Sequence, residues 1–244
     1  MITKNPFLHI TQFKVRACEI NENQEITFPA LVQLLQEASL ENIINLKLSA
    51  WDDDRGSFAW VLLRKEIEVF RYPKLGEEIT VETYPSGFEK IFAFRDYRMF
   101  DLEKNLLASA SSTWTYMNLK TRRIAKIPKK FLKFDASAEN ETLPRPRNKI
   151  SPLVDISAKV EMRIRKYHLD WNGHVNNNHY FKFLLEVIEP PIPGKGPSLV
   201  VIHIKNECLL GEQIEVVADQ SLQSSIVSIL KGQGKVVAHA LVQW

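Results

Sequence analysis

The sequence predicts an α+β protein made of two copies of one unit, each a long helix followed by a meander of antiparallel strands. The same order of strand, helix and strands occurs twice along the 244 residues. Two short sequence motifs also recur in the same order. The segment LGEEITVE at 75–82 is similar to LGEQIEVV at 210–217, and an Ala-x-Ala-x3-Trp pattern occurs at 108–114 and again at 238–244. Two similar motifs in the same order are difficult to obtain by chance, which indicates a tandem duplication.

In the first copy, a strand is predicted at 13–18, and Thr27 followed by Pro29 predicts the start of a helix that runs to about Leu48. Four strands bounded by turn residues follow, at 58–70, 78–84, 91–101 and 106–118. Residues 134–152 are mostly polar, contain three prolines and show no period, which is typical of a linker. The predicted domains are therefore 1–133 and 153–244.

In the second copy, the helix is predicted from about Asn176 to Ile188. The strands of this copy are predicted at 158–166, 199–208, 213–218, 225–230 and 236–243. Apolar side chains cover most of the helix, leaving a polar stripe of Lys182, Glu186 and Glu189, and a helix that is apolar nearly all round is a buried one. A curved antiparallel sheet is therefore expected to wrap each helix, which is the organisation of the hotdog fold, here as a tandem double hotdog.

The composition limits the classes of protein that the chain can belong to. Hydrophobic residues make up 45% and charged residues 25%, which is ordinary for a globular protein. Only two cysteines are present, far apart, which suits a reducing compartment and predicts a cytoplasmic location. No apolar stretch is long enough for a membrane span, and a net charge of +3 is too small to imply binding to nucleic acid.

A polar motif stands directly ahead of the second helix. Asp170, Asn172 and His174 occupy alternate positions, so in an extended segment their side chains share one face. Unpaired N–H groups at the helix start, such as those of Val175 and Asn176, suit a developing oxyanion. The alternative interpretation is that these residues are turn formers and helix caps, with a structural histidine.

The segment LDWNGHVNNNHY at 169–180 resembles the LDxNxHVNNxxY signature of acyl-acyl carrier protein thioesterases. Some thirty residues later, Asn206-Glu207-Cys208 resembles the REC site of that family. The resemblance extends from about residue 7 to 244. This chain departs from the plant members at Asn206, where they usually carry arginine, and at Gly173, where they usually carry glutamine. No plastid-targeting extension is present, so the chain is similar to the bacterial branch.

The resemblance implies an enzyme that hydrolyses the thioester between a fatty acyl chain and the phosphopantetheine arm of acyl carrier protein. The products are free fatty acid and holo-acyl carrier protein, so the reaction terminates fatty acid synthesis, and no cofactor or metal is expected. The catalytic residues implied are Asp170, Asn172, His174 and Glu207. Either carboxylate could be the general base, while His174 could relay a proton and Asn172 could hold the carbonyl.

Cys208 offers a second mechanism, because with His174 and Asn172 it supplies the residue types of a nucleophilic triad. Alternation along the strand places Cys208 on the apolar face, where a buried thiol is inert, which favours a packing role. The same alternation turns Glu207 away from the helix, unless a β-bulge near Asn206 redirects it.

The first copy carries Glu19-x-Asn21-x-Asn23 ahead of its helix and lacks the histidine. The resemblance places selection of the acyl chain in this half. Candidate lining residues, each of which could equally be plain core, are Leu31, Leu34, Leu35, Trp51, Phe58 and Trp60.

A basic run follows the last strand of the first copy and either docks acidic acyl carrier protein or is simply solvated surface. Its residues include Arg122, Arg123, Lys126, Lys129 and Lys130. Two further functions stay open: an acyl-CoA thioesterase, and a hotdog protein that binds acyl thioesters without hydrolysing them. Because the duplication supplies two hotdogs in one chain, either a monomer or a homodimer is expected.

Overall fold

The structure is a computed structural model that describes residues 7–49, 57–135, 142–170 and 173–244. In the first half, its elements are β1 (His9–Lys14), α1 (Phe28–Asn45), β2 (Phe58–Val69), β3 (Glu78–Glu89), β4 (Phe92–Phe100), β5 (Leu106–Asn118), β6 (Arg123–Ile124) and α2 (Lys129–Leu132). In the second half, they are β7 (Ala158–Arg163), α3 (Asn177–Glu186), β8 (Leu199–Ile204), β9 (Gln213–Gln220), β10 (Ser224–Lys231) and β11 (Lys235–Gln243).

The strands form one continuous antiparallel sheet in the order β1-β3-β4-β5-β2-β8-β11-β10-β9-β7, and β6 pairs with β5. The first half contributes β1-β3-β4-β5-β2, and the second half contributes β7-β9-β10-β11-β8, so equivalent strands occupy equivalent places. The halves meet where β2 pairs with β8, from Arg64 opposite His203 to Glu68 opposite Leu199. The predicted tandem double hotdog is confirmed.

Both helices begin where the sequence predicts. The Thr27 hydroxyl accepts a hydrogen bond from the Ala30 N–H at 3.4 Å, and the Asn176 side chain accepts one from the Asn178 N–H at 3.0 Å. Capping of this kind satisfies N–H groups that lack partners in the first turn. The first helix ends before the predicted Leu48, because Leu46 caps it and Lys47 takes a positive φ of 53°.

The first strand lies earlier in the chain than predicted. Residues Ala17–Glu19 form a turn of 3-10 helix, and the Glu19 carboxylate accepts a hydrogen bond from the Arg16 N–H at 2.8 Å. This turn takes the predicted end of the strand out of the sheet, so β1 spans His9–Lys14.

The main core fills the space between the two helices and the sheet. The helices touch each other there, with Phe28 and Phe181 in edge-to-face contact at 5.9 Å between ring centroids. A second, aromatic cluster lies at the far end of β2 and β5, where Phe58 stacks on Tyr116 at 4.9 Å. None of the helices in the described ranges is long and apolar enough to cross a membrane.

The described part of the predicted linker lies against the outer face of the sheet. The Leu143 N–H donates to the Asp96 carboxylate at 2.7 Å, and the Arg147 N–H donates to the Glu66 carboxylate at 2.8 Å. His203 Nε2 donates to the Arg147 carbonyl at 2.7 Å. His203 therefore lies on the outer face of the sheet, under the linker.

Candidate active site

A cleft of about 370 Å³ opens at the junction of the two halves. The first half contributes the beginning of β2 and the turn after β5, and the second half contributes the loop before α3 and the segment after β8. Its lining residues include Trp60, Leu62, Arg122, Asp170, His174 and Glu207. Two predicted catalytic residues, Asp170 and His174, therefore share a cleft with a third, Glu207.

The loop before α3 is held by its own hydrogen bonds. The Asp170 N–H donates to the His174 carbonyl at 2.7 Å, and the His174 N–H donates to Asp170 Oδ1 at 3.1 Å. Gly173 takes a φ of +76°, a conformation that glycine adopts without steric cost. Asp170 thus fixes the loop that presents the imidazole, and Asn172 lies outside the described residues.

A bulge at the end of β8 turns Glu207 into the cleft. The N–H groups of Lys205 and Asn206 both donate to the Val237 carbonyl, at 2.8 and 3.1 Å, and two successive donors on one acceptor is the pattern of a β-bulge. The regular strand therefore ends at Ile204 instead of the predicted Cys208. This is the redirection near Asn206 that the alternation of side chains requires.

Two side chains anchor the bulged segment. The Asn206 amide donates to the Val236 carbonyl at 2.7 Å, and Lys231 Nζ donates to the Glu207 carbonyl at 2.7 Å and to the Glu212 carboxylate at 3.0 Å. The backbone of Glu207 is therefore fixed although half of its side chain is exposed. Lys231 is a supporting residue that the sequence motif does not reveal.

Three ionisable side chains meet in the cleft. Glu207 Oε2 lies 3.3 Å from His174 Nε2 and accepts a hydrogen bond of 2.8 Å from Arg122 Nη1. The same Arg122 nitrogen lies 3.2 Å from His174 Nε2. Because a guanidinium only donates, His174 Nε2 accepts from Arg122 when that nitrogen is unprotonated, and a protonated imidazole lies at ion-pair distance from Glu207.

Arg122, a member of the basic run that the sequence offers for docking, lies in the cleft. It follows β5 in a tight turn and has a positive φ of 56°, which is uncommon for a residue with a side chain. The turn carries its guanidinium across the junction to the second half. No local pattern in the sequence could reveal this contact, because 85 residues separate Arg122 from Glu207.

Cys208 is fully buried in the main core. Burial raises the pKa of its thiol to about 11, so the reactive thiolate is scarce at neutral pH. The Tyr180 hydroxyl is hydrogen-bonded to the backbone and thiol of Cys208, and burial raises the pKa of that hydroxyl as well. These surroundings are those of a packing residue and disfavour the nucleophilic role.

The two backbone groups predicted to hold an oxyanion differ in their surroundings. The Asn176 N–H donates to the His168 carbonyl at 2.9 Å, which removes it from the set of free donors. Val175 lines the cleft, as does Asn177, the first residue of α3. The helix start, with its positive dipole end, therefore faces the cleft next to His174.

The equivalent loop of the first half corrects the predicted alignment of the two copies. The Asn21 N–H donates to the Glu25 carbonyl at 2.8 Å, and the Glu25 N–H donates to the Asn21 side chain at 3.1 Å. These are the bonds made by Asp170 and His174, so Asn21 and Glu25 are their counterparts. The sequence comparison instead aligns Glu19 with Asp170 and Asn23 with His174, which is two residues out of register. The spacing of polar residues alone does not determine where the turn is made.

The first-half loop is also closed. Tyr72 lies three residues before the LGE motif of the first half, as Glu207 does before that of the second half, so Tyr72 is the counterpart of Glu207. Its buried hydroxyl donates to the Pro197 carbonyl at 2.6 Å. The Asn21 amide donates to the Gly194 carbonyl at 2.8 Å. The chain after α3 therefore occupies the place where the second half has its cleft.

The residues predicted to line an acyl pocket have different environments. Leu31, Leu34 and Leu35 are all buried in the main core, and Leu34 also lines a groove on the outside of the first half. Trp60 lines the cleft and a second, apolar cavity of about 60 Å³. Phe58 packs in the aromatic cluster, and Trp51 lies outside the described residues.

The remaining basic residues of the predicted docking run are exposed beside the cleft, on β6 and α2 and between them. They are Arg123, Lys126, Lys129 and Lys130. In the described ranges, no cluster of three or more histidine, cysteine, aspartate or glutamate side chains could hold a metal ion.

The fold and the cleft define a double-hotdog protein with a histidine–carboxylate pair at the junction of its halves. Comparison with protein families places it further. The profile of the acyl-ACP thioesterase N-terminal domain matches residues 7–134, and that of the C-terminal domain matches residues 153–244. The chain belongs to the acyl-ACP thioesterase family, whose members are thioester hydrolases.

Individual relatives agree with this placement. A chloroplastic acyl-[acyl-carrier-protein] hydrolase of Cuphea viscosissima is 31% identical over 95% of this chain, and the chloroplastic oleoyl-acyl carrier protein thioesterase 2 of Arabidopsis thaliana is 25% identical over 95%. The chain spans 61% and 68% of the lengths of these relatives.

Solved structures have the same fold. The 12:0-ACP thioesterase from Umbellularia californica superimposes with a TM-score of 0.86 at 21% identity, covering 99% of this chain and 98% of its own. An acyl-ACP thioesterase from Bacteroides thetaiotaomicron superimposes with a TM-score of 0.87 at 20% identity, covering 97% of both chains.

Proposed function

We propose that the protein hydrolyses fatty acyl-acyl carrier protein thioesters to free fatty acid and holo-acyl carrier protein, and so terminates fatty acid synthesis. Membership of the thioesterase family supports the reaction class. The observation that carries the site is the 3.3 Å approach of His174 Nε2 to Glu207 Oε2 in an open cleft. This pair joins two elements that are far apart in the sequence.

In the proposed reaction, water adds to the thioester carbonyl while Glu207 or the His174–Glu207 pair takes the water proton. The oxyanion forms near Val175 and Asn177, at the positive end of α3. The carbon–sulfur bond then breaks, and the thiolate takes a proton from the pair. A thiol of pKa about 8.5 leaves without strong acid assistance, so water activation is the larger demand.

Asp170 and Arg122 have positioning roles in this proposal. Asp170 accepts a hydrogen bond from the His174 N–H and fixes the loop. Arg122 donates a hydrogen bond to Glu207 Oε2 and holds the carboxylate toward the imidazole. Asn172 stays a predicted catalytic residue on the strength of the motif alone.

The test measures hydrolysis of acyl-ACP thioesters by His174→Ala and Glu207→Gln. Loss of general acid–base catalysis is expected to lower kcat by roughly 100- to 10,000-fold in each variant. His9→Ala and Glu103→Gln, which change the same residue types away from the cleft, serve as matched controls and should keep full activity. Normal turnover in folded His174→Ala would refute the site.

The same assay separates the alternative functions. Acyl-CoA thioesters turned over faster than acyl-ACP thioesters would identify an acyl-CoA thioesterase, and tight binding without turnover of either would identify a binding protein. Docking of acidic carrier protein is proposed at the exposed residues Arg123, Lys126, Lys129 and Lys130. Replacing Lys126 and Lys129 by glutamate should raise KM for acyl-ACP and leave KM for acyl-CoA unchanged.

The location and assembly of the protein stay predictions from the sequence. Curated plant relatives carry chloroplastic names, whereas the proposal for this chain is the cytoplasm. A monomer or homodimer is proposed, since each chain already holds both hotdogs.

A further inference from the structure

Two buried cations face the interior of the first half in one row of the sheet. Lys65 on β2 and Arg95 on β4 both lie opposite Ser112 on β5, so one strand separates them. Their exposed fractions are 4% and 6%. The next inward-facing positions on the same three strands are Ile67, Ala110 and Tyr97, which belong to the main core. We call Lys65 and Arg95 the buried cation row.

The buried cation row has no anionic partner among the described residues. Arg95 Nη1 donates to the Asn42 amide oxygen at 2.8 Å and to the Thr83 hydroxyl at 3.2 Å, and both partners are neutral. Lys65 Nζ lies 4.6 Å from the centre of the Tyr97 ring. Buried cations are normally paired with carboxylates or heavily hydrogen-bonded, so this arrangement needs an explanation.

The neighbouring carboxylate does not supply that partner. Asp96 follows Arg95 on β4 and therefore faces the opposite side of the sheet. There it accepts hydrogen bonds from the Ser86 hydroxyl at 2.8 Å and from the Leu143 N–H at 2.7 Å. The side chains of Lys65 and Arg95 therefore face the interior of the first half, whereas that of Asp96 faces the outer side of the sheet.

Two small cavities beside the row share lining residues with the cleft. Lys65 lines a cavity of about 10 Å³ together with Tyr97, Leu62 and Asn177, and the last two also line the cleft. Arg95 lines the apolar cavity of about 60 Å³, which shares Trp60 with the cleft. Each cation therefore lines a cavity that is separated from the cleft by side chains common to both.

The cavity beside Lys65 has room for about one water-sized group. An acyl chain that displaced the Leu62 side chain from between the cleft and this cavity would bring its distal end to the Lys65 amine. A plain methylene group would leave the N–H donors of this amine without an acceptor, whereas an oxygen atom on the chain would accept from them. The interior therefore favours an oxygen function over an unsubstituted chain.

We propose that Lys65 and Arg95 form a subsite for an oxygen function on the distal part of the acyl chain. The substrate class is then acyl thioesters with a distal hydroxyl, oxo or carboxyl group, in preference to unsubstituted chains of equal length. This inference rests on the proposed thioesterase function and specifies its substrate.

The ionisation of Lys65 supports the subsite. Burial and, to a smaller extent, the nearby positive charge of Arg95 together lower the pKa of its amine to about 7. Near neutral pH, this amine exists both as an ammonium donor and as a neutral amine. It can therefore donate to a hydroxyl, a ketone or a carboxylate.

The experiment compares kcat/KM of the wild-type protein for acyl-ACP thioesters of matched chain length. The series contains the unsubstituted chain and the same chain with a hydroxyl, oxo or carboxyl group at or near its distal end. At least one oxygenated member is expected to exceed the unsubstituted one by about tenfold or more. This comparison needs no variant, so it does not depend on the folding of a mutant.

Lys65→Met then tests the assignment, with exposed Lys74→Met as its matched control. Lys65→Met should lower kcat/KM for the oxygenated chain by about tenfold and keep or raise it for the unsubstituted chain. Lys74→Met should leave both values unchanged. A second readout is the thermal shift of catalytically inactive Glu207→Gln on binding the free acids, which should be larger for the oxygenated acid.

The outcomes separate this inference from the proposed function. Turnover of unsubstituted chains at least as fast as every oxygenated one, with the ratio unchanged in Lys65→Met, would overturn the subsite and leave the thioesterase function standing. Absence of turnover for every thioester, with no difference in thermal shift between the acids, would overturn both. A larger shift with the oxygenated acid and no turnover would support the subsite and refute the hydrolase.

Discussion

Arg122 contacts both members of the proposed catalytic pair, at 2.8 Å from Glu207 Oε2 and 3.2 Å from His174 Nε2. A guanidinium at this place fixes the carboxylate by a charge-assisted hydrogen bond. At the scale of single residues, the cleft therefore depends on a side chain from the other half of the molecule. Arg122 and Cys208 provide separate tests of this site.

Arg122→Gln is expected to lower kcat by roughly tenfold, because Glu207 loses the donor that orients it and small displacements are costly in catalysis. Arg122→Lys should recover part of the loss, since it restores the charge without the planar fork. The measurement compares acyl-ACP thioesters with acyl-CoA thioesters, which need no carrier-protein docking. Arg123→Gln is the control, and an Arg122→Gln effect confined to KM for acyl-ACP would instead assign Arg122 to docking.

Cys208→Ala is expected to keep turnover within about threefold, because a buried thiol with a raised pKa is not the nucleophile. Removal of the sulfur leaves a small cavity, so the free energy of unfolding should fall by about 1 kcal/mol. Steady-state kinetics and urea unfolding measure the two effects. Complete loss of turnover in a folded Cys208→Ala protein would contradict this assignment and restore the thiol mechanism.

At the scale of elements, the end of β8 matters most. A regular strand would alternate Glu207 away from the helix, and the bulge at Lys205 and Asn206 reverses that alternation. Its position is held by the Asn206 amide and by Lys231 on β10. The catalytic carboxylate of the proposal is therefore placed by an irregularity of the sheet.

Lys231→Met is expected to lower kcat by about threefold to tenfold, because the Glu207 carbonyl loses its 2.7 Å donor and the bulged segment gains freedom. Exposed Lys235→Met, on the neighbouring strand, is the matched control and should keep full activity. The kinetic assay is run beside circular dichroism, which monitors folding. An unchanged kcat in Lys231→Met would mean that the backbone hydrogen bonds alone hold the bulge.

At the scale of the whole molecule, pairing of β2 with β8 joins two half-sheets and creates the cleft between them. The two halves are not equivalent at this level. The first-half loop carries Asn21 and Glu25 and is closed by the chain at Gly194 and Pro197, whereas the second-half loop faces the open cleft. Duplication thus supplies one open cleft and one closed copy.

Lys65→Met is expected to stabilise the whole fold at neutral pH. The folded-state pKa of about 7 lies below the unfolded value of 10.5, so the buried amine costs stability at and below pH 7, and this cost fades as pH rises toward 10.5. The difference of about 3.5 pKa units corresponds to roughly 5 kcal/mol well below pH 7 and to about 4 kcal/mol at pH 7, where the folded-state amine is half protonated; loss of the cation–π contact offsets about 1 to 2 kcal/mol. A net gain of about 2 kcal/mol is expected at pH 7.

Urea unfolding of wild-type protein and Lys65→Met at pH 7 and pH 10 measures this effect. The difference between the two proteins should be smaller at pH 10, and exposed Lys74→Met should match the wild type at both pH values. A variant that is less stable than the wild type at pH 7 would mean that Lys65 packs better than its charge costs.

The sequence by itself determined the duplication, both helix starts and the loop that carries Asp170 and His174, because each rests on local signals such as caps, periodicity and repeated motifs. Only the tertiary structure decided that Glu207 turns into the cleft, that Arg122 reaches across to it and that Asn21 and Glu25 are the first-half counterparts. These features depend on a bulge, a turn with positive φ and the pairing of distant strands. Contacts between residues that are distant in the sequence produce no periodic pattern from which they could be predicted.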